Sequence, residues 1–173
     1  MGLTARITWK DGVQYEAGGR SFRSRYGTAP APDGALALTG GTGSGQANDV
    51  YETAFTIAAG ATLLIDLKGG NGERSSLEPA NLLAFTAVKG LELILTTPPA
   101  AGVSLQLGPQ GATNAAQLWF QAATANFWEE VRDRIAKFDR AVGWALDGTH
   151  KVLAIKNPGA VSVSGWLRLI GVR

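Results

Sequence analysis

The stretch from His150 to Arg173 constrains the chain most. Val152 and Ala154 alternate with Leu153 and Ile155 ahead of Asn157, Pro158 and Gly159. Beyond that turn Val161 and Val163 alternate with Ser162 and Ser164, and Trp166, Leu167, Leu169 and Ile170 follow. Alternation with period two places successive side chains on opposite faces of a strand. Two such runs about a Pro-Gly turn predict paired antiparallel strands, a closing hairpin that tucks the C-terminus into a sheet.

The same grammar recurs upstream. Leu3 to Trp9 and Val13 to Tyr15 alternate about Asp11-Gly12, a tight-turn signal that predicts an N-terminal hairpin. Val50 to Ile57 and Thr62 to Lys68 read as strands separated by Ala58-Ala59-Gly60. Leu82 to Lys89 and Leu91 to Leu95 read as one bent strand, or two, hinged at Gly90. Val103 to Leu107 is a further strand, with a short one at Leu118 to Phe120 and another over 140–146. One segment breaks the pattern. Phe127, Val131, Ile135 and Phe138 recur at helical spacing behind an Asn126 cap, with Glu129 and Glu130 where a helix dipole favours anions. These signals favour a short helix over 127–138, although the same residues also alternate.

At 173 residues, with 45% hydrophobic side chains, the chain suits one domain with a sizeable core. Its 23 glycines favour turns over long helices. Ala17 to Asn48 differs from the rest, with Gly18-Gly19, Pro30, Pro32 and a glycine-rich run from Gly40 to Gly45. That run is no phosphate loop, because no Lys-Ser or Lys-Thr pair follows it. The division predicted is therefore an N-terminal hairpin with an extended Gly/Pro-rich arm over 1–49, and a β-sandwich domain over 50–173. Along the arm Arg20, Phe22, Arg23, Arg25, Tyr26, Leu36 and Leu38 are candidate interface residues. They are isolated apolar anchors with charge-assisted contacts beside them, suited to a strap across a neighbouring subunit.

Charge is close to balanced, with 16 basic and 14 acidic residues, but residues 1–30 carry Arg6, Lys10, Arg20, Arg23 and Arg25 against only Asp11 and Glu16. Three arm arginines make nucleic acid an alternative partner, though not the expected one. The chain has no cysteine and one histidine, His150, which excludes thiolate chemistry and a histidine-rich metal cluster. No Gly-x-Ser-x-Gly elbow or Asp-x-Asp-x-Asp-Gly loop is present. No catalytic, cofactor-binding or metal residue is assigned, no cofactor is expected, and an enzyme is not the expected reading. Glu52, Asp66, Glu78 and Glu92 read as strand charges facing solvent. Trp9, Trp119, Trp128, Trp144 and Trp166 could stack on sugars, or fill a core or an interface. No run is long and apolar enough for a membrane helix, and no signal peptide follows Met1, so assembly in a cytoplasm is expected.

Three stretches carry a resemblance. They are Phe55 to Leu67, Leu83 to Ile94, and Val152 to Gly159 together with Leu169-Ile170-Gly171. Taken in this order they resemble small β-sandwich structural proteins of tailed-phage and prophage virion gene clusters. In those proteins a small-Gly-small then Asp-Leu strand, a Phe-x-x-Val-Lys strand and a Leu-x-Ile-x-Asn hairpin recur. The resemblance covers about 50–173 and implies a virion component: a head decoration, minor capsid or tail-associated protein. It also implies a homo-oligomer that contacts other virion proteins such as the major capsid protein. Assembly would take place in the host cytoplasm, without a membrane partner. The fold expected is all-β, a jelly-roll-like antiparallel sandwich with an extended arm and one short helix. The competing reading is a carbohydrate-binding or adhesive sandwich module using exposed tryptophans.

Overall fold

The computed structural model describes residues 3–8, 12–17, 20–24, 36–109, 116, 118, 129–138 and 143–173. Among these residues the chain is all-β, with fourteen strands and no helix. At the N-terminus β1 (Leu3–Thr8) pairs with β2 (Gly12–Ala17) in the expected hairpin, Thr8 opposite Gly12. The arm expected to follow is in part strand. Residues Arg20–Ser24 form β3 along β2, Leu36–Gly40 form β4 along β1, and Gln46–Ala47 form β5 along β4. The sheet order is β3-β2-β1-β4-β5. Short alternating runs without a core of their own can still add strands, because an existing hairpin supplies the ladder partners.

The sandwich is built from β6 (Asp49–Ile57), β7 (Thr62–Asp66), β8 (Ala87–Thr97), β9 (Leu105–Pro109), β10 (Glu129–Val131), β11 (Arg134–Phe138), β13 (Val152–Lys156) and β14 (Val163–Val172). A two-residue strand, β12 (Trp144–Ala145), adds to β8. One sheet runs β11-β8-β14-β6 and the other β10-β9-β13-β7. Strands β6 and β7, β7 and β8, β8 and β9, β10 and β11, and β13 and β14 are split between the sheets, whereas β9 and β10 pair within one. Each connection between split strands is an arch that carries the chain across the core. Two four-stranded sheets linked in this way form a jelly roll.

Two expectations are corrected here. The closing strands are not a hairpin, since β13 pairs with β7 and β9 while β14 pairs with β6 and β8. A six-residue connection beginning at a buried Asn157 gives the chain room to change sheets, which a two-residue turn would not. Over its described part, 129–138, the predicted helix is also replaced. Residues 129–131 and 134–138 are β10 and β11, with Arg132 and Asp133 turning between them. Alternation prevailed over the capping pattern, because Val131 reaches the core from a strand lying on β9. Further upstream, β8 runs without interruption through Gly90, and the residues from Leu82 to Thr86 that read as its start lie outside it.

The core lies between the sheets. Phe55, Ile57, Ile65, Phe85, Val88, Leu93, Leu105, Leu153, Ile155 and Leu169 are all buried, as their alternation predicts, and Leu63 is partly buried against them. Two glycines of β14 make room for the largest rings. Gly165 faces Phe55 across the β6 ladder, where an added Cβ would meet the ring at 2.7 Å. Gly171 lies beneath Phe85, where a Cβ would come within 2.8 Å. An aromatic ring covering a strand glycine restores the packing that the missing side chain forgoes.

Candidate interaction surface

The two long borders of the sandwich differ in chemistry. On one border β10, β11 and the turn between them carry Glu129, Glu130, Arg132, Asp133, Arg134 and Lys137 within nine residues. Lys137 meets Glu129 at 2.7 Å, and Arg132 lies 3.9 Å from Glu130. Charges along an edge strand oppose its pairing with another chain, since they would have to be desolvated.

The opposite border is β6 stacked over β7, an edge of each sheet. From Thr53 to Ile65, through the adjoining parts of both strands and the arch between them, no residue is charged and none is proline. One end of this double edge is closed by the chain itself. Ser76 donates its N–H to Val50 O at 2.8 Å, and its hydroxyl accepts the N–H of Glu52 at 2.8 Å. On β7 the carboxylate of Glu73 accepts the N–H of Asp66 at 2.8 Å. Backbone groups alternate in direction along a strand. Even-numbered residues of both strands therefore turn their N–H and C=O away from the sheet. At the open end these belong to Ala54, Thr56, Thr62 and Leu64, all four exposed. Among the described residues no neighbouring strand meets them. Leu64 is one of the exposed large hydrophobic residues, at 37%.

The outer face of the β6 sheet carries a row of paired charges. Arg168 donates through Nε to Glu52 at 3.1 Å and through Nη1 to Glu92 at 2.8 Å, and Arg134 bonds Glu92 from β11. The row crosses all four strands in alternating sign, Glu52, Arg168, Glu92 and Arg134. Glu92 and Arg168 are buried, where the sequence pattern placed the glutamates in solvent. Each charge in the row is held by a neighbour of opposite sign, which offsets part of the cost of burying it.

Near β7, Asp66 is buried and bonded to Lys151 at 2.8 Å. Burial alone would raise its pKa, but Lys151 and the amide of Lys68 lower it further than burial raises it. Asp49 behaves oppositely. Burial pushes it above the ordinary carboxylate range, although Ser75 and the amide of Val50 bond one oxygen. The lone His150 sits in an exposed turn, where Asp147 accepts its N–H at 2.7 Å and lies 2.9 Å from Nδ1. Those bonds and Thr149 hold the Asp147 carboxyl well below its usual range. The carboxylate is occupied in holding this turn. Among the described residues no three His, Asp or Glu side chains gather as a metal site requires, and no helix is long and apolar enough to cross a membrane.

The described candidate residues of the expected arm fall on two strands. Arg20, Phe22 and Arg23 lie on β3, an edge of the N-terminal sheet, with Phe22 opposite Tyr15. Leu36 and Leu38 lie on β4, separated from β3 by two strands, and Leu38 is 1% exposed within its own chain. Arg25 and Tyr26 fall outside the described residues, as do Trp9, Trp119 and Trp128. Trp144 and Trp166 are both partly buried. The double edge itself was missed in the sequence, where its signal is the uncharged run from Thr53 to Ile65.

No family model matches the chain, and no curated protein matches it. A solved structure of the Yersinia pseudotuberculosis-derived mitogen YPM aligns with a TM-score of 0.34 at 13% identity, covering 71% of this chain and 86% of that one.

Proposed function

We propose that the chain is a structural virion component of a tailed phage, a head decoration, minor capsid or tail-associated protein, working through subunit contacts. The observation that carries the assembly part is the contrast between borders. A jelly roll that guards one double edge with six charges and leaves the open end of the other, Thr53 to Ile65, without any has a surface suited to strand pairing. The virion assignment rests on the strand-pattern resemblance, whose segments fall on β6, β7, β8, β13 and β14. On this reading the chain forms a homo-oligomer and contacts other virion proteins such as the major capsid protein, in the assembled particle. Binding energy comes from main-chain pairing and apolar contact. The carbohydrate-binding alternative draws no support from Trp144 or Trp166, neither of which is exposed.

Mass spectrometry of purified particles tests the assignment directly. The chain is expected at a stoichiometry set by particle symmetry, and washed particles that lack it would refute a virion role.

A further inference from the structure

Deepening that subunit-contact reading, we propose that the open double edge is occupied by a second copy of this chain. Strand β6 would pair with its counterpart, and β7 with its own, about one two-fold axis normal to both sheets. An axis in that direction turns each edge antiparallel to its copy, so a single operation closes both sheets together. Ala54 to Thr56 and Thr62 to Leu64 lie at similar distances from the arch they share, which brings both open segments to the same axis. Pairing with an identical edge brings no like charges together, because none is present from Thr53 to Ile65. Ser76 and Glu73 limit its extent, since they already hold the backbone beyond residue 53 on β6 and beyond residue 65 on β7. The result is two continuous sheets across the axis and an isologous interface, which closes on itself and does not grow into a fibre.

The absence of cysteine from the sequence makes the test specific. Single cysteines would be placed at Ala54, Thr56, Thr62 and Leu64, the pair Ala54→Cys/Thr56→Cys would be made in one chain, and an exposed control would be placed at Ala101. Antiparallel partners near the axis bring Cα atoms within the ~4.4–6.8 Å that a disulfide spans. Mild oxidation is expected to give a covalent dimer from at least one β6 variant and one β7 variant, and none from Ala101→Cys. Sedimentation velocity of the wild-type chain is expected to show a dimer, with Leu64→Lys weakening it about tenfold or more. A wild-type monomer at about 100 µM, the range in which specific contacts associate, would overturn the proposal. So would cross-links no more frequent at the edge than at the control, or a Leu64→Lys dimer of unchanged affinity. A chain found in particles yet monomeric and uncross-linked refutes the pairing alone. A cross-linked dimer absent from particles refutes the virion reading alone.

Discussion

The side chain of Asn157 donates to the main-chain carbonyl of Ile57 at 3.1 Å, joining arches that lie 100 residues apart in the sequence. The same Nδ2 lies within 3.1 Å of Ala58 O and 2.8 Å of Val161 O, while Oδ1 accepts the N–H of Gly159 at 3.0 Å. The Asn157 N–H reaches Ala61 O at 2.9 Å. One buried amide therefore fastens the β6–β7 arch to the β13–β14 arch, directly behind the open edge.

Asn157→Asp removes every side-chain donor and sets a carboxylate against three carbonyls. It is expected to cost at least the ~1–3 kcal/mol of a buried unsatisfied group, measured by urea denaturation. Asn157→Ala should fall in the same range. A loss below about 0.5 kcal/mol, the size of an ordinary surface change, would mean that the arches are held elsewhere.

Gly165→Ala should destabilise by overpacking, on the order of 1–3 kcal/mol. Its Cβ would sit 2.4 Å from Ile94 O as well as against Phe55. Trimming the ring with Phe55→Leu is therefore expected to restore only part of the loss, since the carbonyl cannot be trimmed. A double-mutant cycle by thermal denaturation checks this, and full additivity would contradict the contact.

Arg168→Met leaves Glu92 and Glu52 without the guanidinium between them, and should cost about 3–5 kcal/mol, as for other broken buried pairs. Replacing Glu92 by Leu in the same chain should recover only part of that loss, because Arg134 and Glu52 are still left without these partners. Chemical denaturation of the single and double variants decides the matter.

The two buried aspartates should titrate with opposite signs. Asp49 is raised, so the folded state holds a proton that the unfolded state has released, and stability falls as pH rises through that window. Asp66 is lowered, so its contribution is present above the ordinary carboxylate value and is lost as pH falls through the folded one. Relative to the parent, Asp49→Asn should gain stability with rising pH, and Asp66→Asn should lose it. Denaturation curves across the acidic range read both slopes.

Strand positions were legible because alternation is a local property. Phe55, Ile57 and Leu153 lie inside as their register requires. Strand partnership was not legible, because a Pro-Gly turn serves a hairpin and an arch alike. Two hints pointed to the arch: the separation of Asn157 from Val163, and the run Val152 to Ile155, which is apolar on both faces and buried on both. The segment 127–138 misled for a different reason. Glu129 and Glu130 match a helix cap in spacing, but in the fold Glu129 pairs with Lys137 on a guarded edge. Leu38 was expected in a neighbour's pocket and is buried within its own chain, because β4 joins a sheet of that chain.

Amide exchange on the unmodified protein tests the open edge most directly. The N–H groups of Glu52 and Asp66 are bonded within the chain and should be protected at every concentration. Those of Ala54, Thr56, Thr62 and Leu64 should exchange fast in dilute solution and slow by at least about tenfold as concentration brings the edges together. Fast exchange at all four, at every concentration and in assembled particles, would contradict the account.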